Sequence, residues 1–206
     1  MRVALIGDSH SSYHFNDITD VLEGEGYEVV DSFSRPGWGV KSFLSSNLLD
    51  QLIDSKPEAV IVALGGNNHN LTDRYGERVD QFITLLREYG VSGPIVWLGP
   101  FEADVNVRPD VWERHEWTSD YLQDFLPSRD VAWIDMRPVS ITGPWRDGVH
   151  FSRDKYTEMI QGISVQILSG LTGFALSRVL THPAFLISSF VILVGSLTIG
   201  YYFSRK

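Results

Sequence analysis

Three side chains far apart in the chain have the types needed for nucleophilic catalysis. Ser9 follows a short apolar run in "MRVALIGDSHSSY", and Asp147-Gly148-Val149-His150 places a carboxylate three residues before an imidazole. A serine hydroxyl attacks only when a base removes its proton, and the base works only when a third group holds its tautomer. Asp147 and His150 on one turn can orient each other, with Nδ1–H toward the carboxylate and Nε2 toward Ser9. A serine at the start of a helix also presents its own backbone N–H to an incoming oxyanion. Further donors to that charge are available from a glycine amide in Pro36-Gly37-Trp38-Gly39 and from the side-chain amide of Asn67. A competing chemistry reads Asp8-x-His10 with Asn68-His69 as ligands of a two-metal phosphoesterase. It lacks a second Asp-bearing block and a terminal Gly-His-x-His pair, so the reading favoured here has no metal and no cofactor.

The elements that must position these groups follow from apolar patterning. Short apolar runs at Arg2–Ile6, Glu28–Phe33, Ala59–Leu64, Ile95–Leu98 and Val131–Ile134 predict strands. Between them, Phe15–Leu22, Ser42–Ile53 and Glu77–Tyr89 repeat apolar residues at helical spacing, and a further helix is expected to start near Ser152. Strands alternating with helices predict an α/β chain with a five-stranded parallel sheet. In such sheets ligands sit beyond the carboxyl ends of the strands, where Gly-Asp-Ser-His, "SRPGWGVKSF", "GGNNHN", "GPFEADVN" and "PWRDGVHFSRDKY" all fall. The segment "FEADVNVRPDVWERHEW" is long for a connection and is expected to form a lid or a substrate wall. Loop aromatics Trp38, Phe101, Trp112, Trp117, Trp145 and Phe151 suit sugar rings or acyl chains at a shallow cleft. His10 and His69 are expected at its rim as exposed loop residues, and His14, His115 and His182 belong to no constellation.

Composition narrows the classes. The 206 residues are 43% hydrophobic and 21% charged, as in a folded domain. The net charge of −9, with no cluster of Lys and Arg, argues against a nucleic-acid partner. The absence of cysteine removes disulfides and thiolate chemistry. No signal peptide is expected, because the first apolar run is shorter than such segments require. Ala184–Phe203 is 20 residues without a charge. At about 1.5 Å per residue that length crosses the roughly 30 Å hydrocarbon layer. The expected organisation is therefore a catalytic domain over 1–170, a linker over 171–183, a single membrane-spanning helix over 184–203 and a basic tail over 204–206.

The set Gly7-Asp8-Ser9, a loop glycine after the second strand, Gly65-Gly66-Asn67-Asn68 and Asp147-x-x-His150 resembles the four signature blocks of the SGNH (GDSL-like) hydrolases, in their order, over roughly residues 1–170. The resemblance implies a flavodoxin-like three-layer sandwich and esterase or deacylase chemistry through a triad of Ser9, His150 and Asp147. It also implies an oxyanion hole of Ser9, Gly37 and Asn67, Gly37 aligning better than Gly39. One departure is Asn68, where the family usually has aspartate. The Gly-x-Ser-x-Gly elbow of the α/β-hydrolases is absent. The expected protein is thus a membrane-anchored serine esterase acting on an acylated glycan, cell-wall polymer or lipid. It would face the cytoplasm if cellular, or belong to a virus particle. A catalytically silent scaffold of the same fold is the alternative, and acyl transfer to a sugar uses the same groups.

Overall fold

A computed structural model describes residues 1–67, 74–140 and 147–173, apart from the Ile53 side chain. Five strands, β1 (Arg2–Gly7), β2 (Glu28–Ser34), β3 (Ala59–Ala63), β4 (Ile95–Leu98) and β5 (Val131–Ile134), form one parallel sheet in the order β2-β1-β3-β4-β5. That is the flavodoxin-like order, with its switch point between β1 and β3. The helices are α1 (Ser11–Gly24), α2 (Val40–Leu44), α3 (Gln51–Ser55), α4 (Arg74–Glu88), α5 (Pro109–Phe125) and α6 (Arg153–Leu171).

The sheet is buried on both faces, as parallel sheets are. Along β1, Ala4 and Ile6 enter one core with residues of α2, α3, α4 and α5. Val3 and Leu5 enter the other with α1 and α6. Every residue of β3 is buried and small or branched, which fits the centre of the sheet. The edge strand β2 keeps only Phe33 fully buried.

Two expectations are corrected. The stretch Ser42–Ile53 is two short helices, because Ser46 donates its hydroxyl to the Phe43 carbonyl and accepts the Leu48 N–H, breaking the run between α2 and α3. The segment expected as a lid or wall becomes helical from Pro109, which sits in the first turn where proline loses nothing. Its helical period is hidden in sequence, since buried positions 115, 118 and 119 are His, Thr and Ser.

By its internal contacts the chain divides into Met1–Gly173 and Phe174–Lys206. The second unit, and with it the expected span 184–203, the basic tail and His182, lies outside the described residues. Among the described residues no helix is long and apolar enough to cross a membrane.

Candidate active site

The loops after β1, β2, β3 and β5 meet at one edge of the sheet. Gly7 ends β1 with no room for a side chain: a Cβ there would fall on Ser11. The chain turns at once, and Asp8 Oδ1 accepts the His10 N–H at 3.0 Å. This Asx-type turn sets Ser9 just ahead of α1.

Ser9 Oγ lies 3.0 Å from His150 Nε2, across 141 positions of sequence. His150 Nδ1 lies 2.7 Å from Asp147 Oδ2. Gly148, at φ +75°, lets the chain fold back so that Asp147 Oδ1 accepts the Val149 and His150 N–H groups, each at 2.9 Å. Partial burial pushes the Asp147 carboxyl up, but the two N–H donors and the His150 ring outweigh it and hold it down at about 2. The carboxylate is therefore charged and aimed at Nδ1, which leaves Nε2 free to accept from Ser9.

The other sequence candidates are placed less directly. Pro36-Gly37 forms the corner of a turn closed by the Trp38 N–H on the Arg35 carbonyl at 3.1 Å. Gly37 takes φ +75° there, as the third residue of a type II turn demands. Gly39 heads α2 in an extended conformation. Neither glycine N–H meets an acceptor among the described residues. Asn67 Nδ2 donates to Asp8 Oδ2 at 3.1 Å and to the Trp38 carbonyl at 3.3 Å, tying the loops after β1, β2 and β3 together. Both of its hydrogens are engaged, so a further acceptor at Nδ2 would have to displace one of these bonds. Asn68, His69 and Trp145 lie outside the described residues.

Histidines behave differently from the sequence expectation. His10 is 5% exposed, a buried residue and not an open rim one. Its ring lies 4.9 Å from that of His150 and 5.3 Å from that of Phe101, and its Nδ1 is 2.7 Å from the Tyr156 hydroxyl. Burial lowers its basicity well below the usual range. His14 is buried with neither ring nitrogen paired among the described residues, and burial drives it down to about 3. His115 sets Nδ1 2.6 Å from the Phe101 carbonyl, and burial takes it to about 4. Asp8 is buried and pushed up to about 7, against the opposing effect of the His10 N–H and Asn67. Among the described residues no three His, Asp or Glu side chains are grouped to hold a metal ion. The Asp8 oxygens accept from the His10 main-chain N–H and from Asn67 Nδ2, and His10 Nδ1 lies against the Tyr156 hydroxyl.

The "FEADVNV" segment is pinned beside the Asp147–His150 turn. The Asp104 N–H donates to the Gly148 carbonyl at 2.9 Å, while Phe101 and Ala103 are buried. Of the loop aromatics, Phe101 and Phe151 are core and Trp117 stacks on Tyr121.

No family model matches the sequence, and no curated protein does. Solved structures match the fold. One is a lipase/acylhydrolase from Enterococcus faecalis, with TM-score 0.63 and 19% identity over 80% of this chain and 96% of that one. Another is a catalytic mutant of an acetylxylan esterase from Geobacillus stearothermophilus, with TM-score 0.67 and 15% identity over 82% and 93%. A third is the periplasmic domain of a lipopolysaccharide acetyltransferase of Salmonella ser. Paratyphi A, with TM-score 0.60 and 15% identity over 81% and 83%. The chain shares their fold. Sequence reasoning did not foresee Asp8, His10 and Tyr156 as a buried layer behind Ser9 and His150; the signal it had was that Asp8 and His10 flank Ser9.

Proposed function

We propose that the protein is an SGNH-type serine ester hydrolase working through an acyl-enzyme. The observation that carries this reading is the continuous line from Ser9 Oγ to His150 Nε2 at 3.0 Å and from His150 Nδ1 to Asp147 Oδ2 at 2.7 Å. Ser9 Oγ attacks the ester carbonyl as its proton passes to His150 Nε2, and the charge developing on His150 is met by Asp147. The carbonyl oxygen, now negative, is received by the N–H groups of Ser9 and Gly37 and by Asn67 Nδ2, with Gly39 offering another free N–H two residues on. His150 then returns the proton to the departing alcohol, leaving an acyl ester on Ser9. Water, deprotonated by the same Nε2, cleaves that ester and restores the hydroxyl. A sugar hydroxyl in place of water turns the same cycle into acyl transfer.

An acylated glycan, cell-wall polymer or lipid is the proposed substrate. Support comes from the names of the structural neighbours, which include an acetylxylan esterase and a lipopolysaccharide acetyltransferase. The uncharged run 184–203 supports a membrane anchor that would hold the domain near such a polymer or lipid, in a cell or in a virus particle. The test is hydrolysis of p-nitrophenyl acetate by the full-length protein. Activity that disappears in Ser9→Ala, with folding intact by circular dichroism, is the expected result; equal rates remove the reading.

A further inference from the structure

A closed circuit of contacts surrounds His150 from behind. The Phe151 N–H, on the residue after His150, donates to the Tyr156 hydroxyl oxygen at 3.3 Å. The same hydroxyl lies 2.7 Å from His10 Nδ1, so one oxygen is hydrogen-bonded to both the main chain beside His150 and the His10 ring. The His10 ring then returns to His150, centroid to centroid 4.9 Å and tilted by 32°. That is a tilted stacking distance for two flat rings. His10 also meets the rings of Phe101 at 5.3 Å, Tyr156 at 5.9 Å and His115 at 6.4 Å, so it has little freedom to move. Tyr156 is wholly buried, and Tyr13 stacks on it at 5.4 Å and 7°.

We infer that His10 and Tyr156 form a positioning unit for the triad histidine: one hydroxyl fixes both the main chain beside His150 and the ring on which His150 rests. The inference rests on the hydrolase reading above. Asp147 alone fixes one nitrogen of His150 and leaves the ring free to rock about that bond. A flat neighbour at stacking distance removes this rocking and keeps Nε2 on Ser9. When His150 takes the serine proton, a neutral ring beside it also faces the new cation with π-electron density. Neither residue meets substrate in this role, so the effect falls on turnover and not on binding.

Steady-state hydrolysis of p-nitrophenyl acetate by the full-length protein tests this, alongside Ser9→Ala. Tyr156→Phe removes a single oxygen and His10→Ala the whole ring; each is expected to lower kcat about tenfold with KM little changed. His10→Phe restores a flat ring without the hydroxyl bond, and its kcat is expected between those of wild type and His10→Ala. In proton NMR the His150 Nδ1–H signal is expected to exchange faster with water in Tyr156→Phe than in wild type. Wild-type kcat in folded Tyr156→Phe, or a loss carried by KM alone, overturns the inference while Ser9→Ala remains inactive. If His10→Ala does not fold, Tyr156→Phe decides. An active Ser9→Ala protein brings down the hydrolase reading and this inference together.

Discussion

Two aspartate and histidine groups meet where the loops after β1 and β5 come together, built from the same residue types but with their carboxyls shifted in opposite directions. Asp147 and His150 are half-exposed; the carboxyl is held at about 2 by three hydrogen bonds to its charged form. Asp8 and His10 are buried, and burial lifts the carboxyl to about 7 and depresses the imidazole. The difference teaches that residue type does not assign a role in this site. Water and N–H donors keep the outer carboxyl charged and aimed at His150 Nδ1. Exclusion of water disfavours charge on the inner group, whose hydrogen bonds serve as a rigid support.

The largest effect expected from breaking that contrast is in the outer group. Asp147→Asn preserves the shape but offers Nδ1 no charged acceptor, so the wrong His150 tautomer competes. A loss in kcat of roughly 10⁴ is expected in ester hydrolysis. A variant within tenfold of wild type would mean that Asp147 does not orient His150.

Next comes Asp8→Asn in the inner group. Both carboxylate oxygens accept, one from the His10 N–H and one from Asn67 Nδ2, so neither orientation of an amide satisfies both. The cost in thermal or urea unfolding is expected to be about 1–3 kcal/mol, that of one unsatisfied buried polar contact. Activity is expected to fall about tenfold as Asn67 shifts. Unchanged stability would show that the Asp8 contacts do not hold the frame.

The smallest effect concerns pH. His14 titrates near 6.5 when unfolded and at about 3 when folded. Between those values the unfolded chain binds the extra proton, so the contribution of neutral His14 is complete above about pH 6.5 and is lost as pH falls toward 3. Asp8 acts in the opposite sense, favouring the folded state more at low pH than near 7. His14→Phe, placed among the rings of Phe15, Phe101 and Tyr156, is expected to shrink the fall in melting temperature between pH 7 and pH 4.5. An unaltered fall would place the acid sensitivity elsewhere.

How far sequence could be read depended on the range of the interactions. Strands β4 and β5 are found at their expected limits, because each is an uninterrupted apolar run, fully buried in β4 and partly buried in the edge strand β5. The pairing of Asp147 with His150 was legible because its partners are three residues apart. The helix α5 was not, since His115, Thr118 and Ser119 occupy buried positions that an apolar pattern leaves blank. Nor was the burial of His10, whose hydroxyl partner Tyr156 is 146 positions away. Asn67 was legible as an amide on the right loop, but its engagement with Asp8 and Trp38 depends on three loops closing together.

The central claim is that Ser9 is a nucleophile activated by His150. Treating the full-length protein with a fluorophosphonate and mapping the adduct by peptide mass spectrometry tests it most directly. One phosphonyl group on Ser9, formed in wild type and absent in His150→Ala, is the predicted result. A folded wild-type protein that stays unlabelled, or carries the group on another residue, would contradict it.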